Sequence, residues 1–185
     1  MLKFNMSKTS TAFASIVCLF VFTAHAKLAK KGEASVQFFA KGTVPGLSIN
    51  GKGSDLMVSD DGANLTVIAP LGNLKTGIDL RDKHMKEKYL HTDKFPNAEL
   101  VVARSALKIP ASGDASGEAE GTFKIHGQSK SARFRYEAKR DGSTFHVVGK
   151  VSVNITDFGV EKPSHLGVGV KPEIDLEVRF DVEEK

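Results

Sequence analysis

Histidine, cysteine and clustered carboxylates are the side chains that bind metals or attack carbonyls, and this 185-residue chain has six His and one Cys. His84 and His91 bracket HMKEKYLH and lie seven apart. Two zinc ligands on one helix usually sit about four apart, with a third close by. His126, His146 and His165 fall in separate segments and read as surface residues unless the fold gathers them. No nucleophile elbow and no Gly-rich phosphate loop occurs. Asp157-Phe158-Gly159 spells the metal-binding tripeptide of kinases, but nothing else of that machinery accompanies it and the chain is too short. Asn64-Leu65-Thr66 and Asn154-Ile155-Thr156 match the glycosylation sequon, a pattern short enough to arise by chance. The sequence thus predicts no catalytic residue, no metal ligand and no cofactor.

What the chain offers is patterned apolar surface. In EIDLEVRFDV, Ile174, Leu176, Val178, Phe180 and Val182 alternate without a break with Glu173, Asp175, Glu177, Arg179 and Asp181. Period two over ten residues is a strand with one wet face, as in an antiparallel sheet. SVQFFAK repeats it with Val36, Phe38 and Ala40, although Phe39 breaks the polar side. ARFRYEAK does so with Phe134, Tyr136 and Ala138, and GTFKIHG with Phe123 and Ile125. In TFHVVGKVSVNI the apolar face is Phe145, Val147, Gly149, Val151, Val153 and Ile155. Further strands are expected over 46–53, 55–59, 64–69 and 98–105. Asp60-Asp61-Gly62 and Arg140-Asp141-Gly142 supply residues that accept the positive φ of tight hairpins, and SGDASG, 112–117, reads as a longer polar loop. The sum is about eight antiparallel strands in one domain, an all-β barrel or a sandwich. An eight-stranded barrel can be filled by its side chains or hold one small ligand. Gly121 and Gly149, in inward phase, fit either backbone bends or room for a ligand.

One passage breaks the β pattern. LKTGIDLRDKHMKEKYL, 74–90, is dense in charge and carries Ile78, Met85 and Tyr89 at i, i+7 and i+11, one side of a helix. Asp79 is expected to cap it and Asp82 to favour its first turn. Pro96 ends it after about three turns. Arg81, Lys83, Lys86, Glu87 and Lys88 form the wet side. A single amphipathic helix in a β protein is expected to close one barrel end, with Met85 and Tyr89 facing the interior.

The N-terminus reads as a secretory signal peptide, residues 1–26: Lys3 and Lys8, then apolar AFASIVCLFVFT, then Ala24-His25-Ala26 before the cut. The apolar run is too short to span a bilayer, which takes about 20 residues. Ile16-Val17 before Cys18 are too large for a lipid-modification site. The expected mature domain is 27–185, without cysteine and therefore without a disulfide. It has 24 basic against 22 acidic residues and no basic block, which argues against nucleic acid as a partner.

Three ordered motifs resemble the YceI-like family of bacterial exported proteins: LKTGIDLRDKHMKEKYL followed by DKFPNAEL, then FKIHGQSK, then DFGVEKPSHLGVGVKPEIDLEVRF. They lie within a likeness running from about Glu33 to Val182. Lys171-Pro172 and Ser131 depart from the family pattern at surface-type positions. The resemblance implies a lipocalin-like barrel of eight antiparallel strands around an apolar tunnel, with one short helix at its mouth. It also implies a periplasmic binder or carrier of an isoprenoid lipid, such as a polyisoprenoid or a quinone-type amphiphile, and no enzymatic activity. True lipocalins differ: this chain has no Trp. The expected ligand-contacting residues are Phe38, Met85, Tyr89, Phe123, Phe134 and Tyr136, with Phe145, Val147, Val151 and Phe180. Two other readings stand beside this one. An enzyme could act on a lipid in the same cavity, for which Tyr136 is the only inward titratable group, or a structural or stress protein could have a filled core. Expected partners are the lipid and, transiently, a membrane; the sequence leaves the oligomeric state open, with a homodimer as one alternative.

Overall fold

The computed structural model describes residues 26–165 and 167–185, with the side chain of His165 left out. The expected signal segment lies outside them except for Ala26. Ten strands form: β1 (Leu28–Gly42), β2 (Ser48–Ser54), β3 (Met57–Asp60), β4 (Asn64–Pro70), β5 (Asn97–Ala103), β6 (Asp114–Ile125), β7 (Gln128–Asp141), β8 (Thr144–Asn154), β9 (Ser164–His165) and β10 (Val168–Glu184). All pair antiparallel, in the order β2-β1-β10-β8-β7-β6-β5-β4-β3, with β9 on β10.

The two outer members of that order, β2 and β3, are consecutive in the chain and separated only by Asp55 and Leu56. A sheet whose outer strands are joined so tightly must curl until they meet. β2 pairs with β1, and β3 with β4. They are two halves of one stave, broken where Asp55 takes φ 65°, a conformation Asp tolerates better than most residues. Counted so, the expected eight staves are present. The seam is closed at two points. Lys52 and Lys75 exchange backbone hydrogen bonds of 2.9 and 2.8 Å, and the Leu28 amide donates to Asp60 Oδ2 at 2.8 Å.

The alternation predicts the phase well. Phe123, Phe134, Tyr136, Phe145, Ile174, Phe180 and Val182 are buried, while Arg133, Arg135, Glu137 and Arg179 are exposed. Phe39, which interrupts the polar face of β1, is exposed as its phase requires. Several inward residues, Phe38, Val151, Leu176 and Val178 among them, are only half-buried. Their free surface faces the hollow interior.

Two local expectations fail. Asp114–Gly117, read as loop, is the start of β6, paired with Tyr136 to Lys139. Ala115 and Gly117 continue the inward phase of Ala119 and Gly121, and pairing overrides the turn-like composition of SGDASG. Asp79 does not cap the helix. Ile78 occupies the capping position with no side-chain bond, and helix α1 runs Asp79–His84. A single π-helical turn, Met85–Tyr89, continues it.

Candidate ligand-binding site

The mouth is built around Thr76, which ends the run along the seam. Asp82, only 8% exposed, reaches back over one turn. Its Oδ1 accepts from the Thr76 amide at 2.7 Å and the Thr76 hydroxyl at 2.5 Å. Arg81 clamps the same residue, with Nε to Thr76 Oγ1 at 2.7 Å and Nη2 to the Thr76 carbonyl at 2.9 Å. So Asp82 fixes the chain entering the helix from inside its first turn, but does not take over the capping expected of Asp79, and the first-turn amides gain no side-chain cap. Burial would raise the Asp82 carboxyl. The Thr76 hydroxyl and amide, with Lys86 and Arg81 nearby, outweigh it and hold the group below the usual carboxylate range.

Below this clasp lies one large cavity of about 670 Å³. Its walls are Val36, Phe38 and Ala40 of β1, Val67 and Ala69 of β4, Phe123 and Ile125 of β6, Phe134 of β7, Val151 and Val153 of β8, and Ile174, Leu176 and Val178 of β10. Polar lining residues gather at the mouth: Thr76, Arg81, His84 and Lys88 on the helical segment and Ser164 on β9. Glu99 also borders it, but its carboxylate is turned outward to Lys124 at 3.4 Å. The interior is therefore apolar throughout its depth and polar only at its opening.

A second, smaller chamber of about 80 Å³ continues toward the far end. Val67, Leu100, Phe134, Gly149 and Val178 border both and form a waist. Gly149 makes the waist passable: a Cβ there would stand 3.0 Å from Val178 Cγ2, in the channel. Gly121 serves a purpose its sequence did not announce, close approach of strands, since a Cβ would meet the Val101 carbonyl oxygen at 2.7 Å.

The ten sequence-predicted contact residues divide at this waist. Phe38, Met85, Tyr89, Phe123 and Val151 line the large cavity, and Phe134 borders both chambers. Tyr136, Phe145, Val147 and Phe180 do not reach the large cavity and line only the small chamber. Phe145 is 2% exposed and works as a plug. Tyr136, the one titratable group expected inside, has its hydroxyl oxygen bound by the Lys108 amide at 2.6 Å. Alternation shows that a side chain points inward but not how high it stands along the barrel.

Other mouth residues escaped the sequence reading: Leu47, Ile49, Leu80, Val160, Pro163 and Val170. They come mostly from loops and strand ends, where no period marks an inward face. Leu80 had a signal, as a lone leucine among charges. Ile78, expected on the interior side with Met85 and Tyr89, lines the opening. The fold also joins two histidines that the sequence left apart. His126 Nε2 lies 3.1 Å from His91 Nδ1, and His126 Nδ1 lies 3.3 Å from the Phe158 carbonyl oxygen, tying the end of the helical segment to the β6–β7 turn. His146 is exposed and meets Asp181 at 2.8 Å. Among the described residues no group of three or more His, Cys, Asp or Glu could hold a metal.

The same architecture recurs in solved structures. A polyisoprenoid binding domain from Saccharophagus degradans, implicated in plant cell wall breakdown, is similar with a TM-score of 0.71 at 14% identity, over 88% of this chain and 99% of its own. BcnA of Burkholderia cenocepacia gives 0.62 at 15% identity, over 80% and 95%. The YCEI protein of Campylobacter jejuni gives 0.52 at 14%, over 100% and 93%. No curated protein matches the sequence. At such identities the likeness establishes the fold alone. The family model for the YceI-like domain matches residues 20–182, nearly the whole chain, and with it the motifs at 74–90, 123–130 and 157–180 have their explanation: the chain belongs to the YceI-like family.

Proposed function

We propose that this protein binds and carries an isoprenoid lipid in its tunnel, and that it does so in the periplasm after its signal peptide is removed. The observation that carries the reading is the large cavity: about 670 Å³, walled by aliphatic and aromatic side chains and open at one polar-rimmed end. Small-molecule sites are commonly about 300–1,000 Å³. A filled core would leave no such space, which disfavours the reading as a solid structural protein. Each buried CH₂ contributes about 0.8 kcal/mol, so a few isoprene units outweigh several kcal/mol of association cost. A long branched chain with its polar head at the mouth fits this distribution of polarity. The name of the Saccharophagus degradans structure points the same way. Catalysis on such a lipid would need a reactive group at depth, and the inward tyrosine hydroxyl oxygen is engaged by the Lys108 amide.

The direct test is organic extraction of protein purified from the periplasm, followed by mass spectrometry. A stoichiometric isoprenoid is the expected result, on a protein beginning at Lys27. Extracts free of any lipid, from protein that also takes up none added, would sink the proposal. Met85→Ala and Tyr89→Ala locate the contact: each should lessen the rise in melting temperature on lipid loading more than it lowers the stability of the emptied protein. An unchanged rise in both would make the helix mere scaffolding.

A further inference from the structure

The described residues include six large apolar side chains that are well exposed, and four of them surround one opening. Ile78 (54% exposed) and Leu80 (63%) stand on the helical segment, Val168 (41%) at the start of β10, and Val44 (42%) in the β1–β2 loop. That loop is tied to the β10 end by the Thr43 amide, which donates to the Gly169 carbonyl at 2.8 Å. Ile78, Leu80 and Val168 also line the cavity. The rim is therefore apolar and continuous with the tunnel wall. The remaining two, Phe39 and Met57, lie on the flank.

Around this rim the charge is one-sided. The helical segment, 74–90, carries Lys75, Arg81, Lys83, Lys86 and Lys88 against Asp79, Asp82 and Glu87. That surplus of two is as large as the surplus of the whole chain from residue 26 onward. None of these five cations enters a salt bridge among the described residues, and Arg81 is bonded to Thr76 instead. Apolar tips within a collar of uncommitted lysines suit the boundary between the headgroups and acyl chains of an anionic bilayer. A protein partner of matching shape would need no such collar, and a second copy would bring two like-charged collars together.

We propose that the mouth end docks on an anionic lipid bilayer, inserting Ile78 and Leu80 so that the tunnel opens directly into the acyl region. The purpose of the surface rests on the lipid-carrying reading, but docking itself needs no bound lipid. A tunnel that opens into the bilayer spares the hydrocarbon chain a passage through water, which would be strongly unfavourable.

The test is flotation of delipidated protein with vesicles of phosphatidylcholine alone or mixed with phosphatidylglycerol. Binding to the mixed vesicles only is expected, and raising the salt from about 0.1 to 1 M should abolish it as the screening length falls from about 10 to 3 Å. Ile78→Ser with Leu80→Ser should weaken binding about tenfold or more. Met57→Ser, an equally exposed residue on the flank, should leave it unchanged. Lys83→Glu with Lys88→Glu should weaken it comparably while keeping the apolar tips, which guards against a serine variant that folds poorly. Docking is overturned if the protein ignores the mixed vesicles. It is overturned equally if both double variants bind as wild type, or if Ile78→Ser with Leu80→Ser instead converts a dimer to a monomer. Extracted lipid without vesicle binding would defeat docking and leave carriage standing. Vesicle binding by protein that neither yields lipid nor takes up any added would do the reverse.

Discussion

At the end where β7 turns into β8, Arg104 meets the fully buried carboxylate of Asp60 at 2.6 Å, and Arg140 meets Glu184 at 2.7 Å. Arg140 also lies over the Phe145 ring, 4.9 Å from its centroid. Leu107, Ile109 and Pro110 fold across Phe145 and Tyr136, and the Lys185 amide bonds to the Lys27 carbonyl at 2.9 Å. At the opposite end the lysines of the helical segment enter no salt bridge among the described residues, Ile78 and Leu80 face outward, and the helical segment is held by Thr76, by the His91–His126 contact and by Met85 and Tyr89. One barrel thus carries a closed end knit by two arginine–carboxylate pairs and an open end whose apolar tips have no protein partner. Satisfied ends stabilise the fold. An end left unsatisfied is informative because folding does not explain it.

The largest effect should come from breaking the closed end. Phe145→Ala empties a fully packed site and should cost about 3–5 kcal/mol in urea unfolding. The lipid bound per folded molecule should stay within error of wild type, since Phe145 does not line the large cavity. Lost lipid at retained fold would mean that the chambers act as one. A smaller effect is expected at the clasp. Asp82→Ala should cost about 1–2 kcal/mol and leave the helical segment more open to amide exchange than the strands. Here pH gives a second reading. The folded carboxyl is held below the ordinary Asp value of 3.8, so its contribution is present above that value and is lost as pH falls through the lower folded one. The stability gap between wild type and Asp82→Ala should be flat above about pH 5 and shrink in acid. A gap that widened in acid would show that the clasp works with a protonated Asp82.

Most of the closed end was legible in the sequence, and most of the open end was not. The phases of β7, β8 and β10 follow from alternation because a two-residue repeat leaves each side chain only two directions. The helical segment was visible from its charge and from Ile78, Met85 and Tyr89. Its clasp was hidden, since Asp82 bonds to Thr76 six residues back and no local capping rule connects them. The width of the turn at Met85–Tyr89 was equally silent. Height along the barrel is the deepest gap. Phe145 and Phe123 have the same signature in sequence, yet one plugs the end and the other walls the cavity. Only the strand register, set by pairing across many residues, separates them.

The waist at Gly149 turns a container into a gauge. On the lipid-carrying reading, chains that end above it would occupy the large cavity alone. Longer ones must thread past Val178 and Phe134 into a chamber of about 80 Å³ that has room for little more than a chain end. Length would then be sensed as a count of repeating units, read at one missing side chain. Gly149→Val should shift the range of bound chains toward shorter members and cost about 1–3 kcal/mol of stability, since Val178, stiff at χ1, has to give way. Competition between prenols of graded length would show whether the preferred length moves.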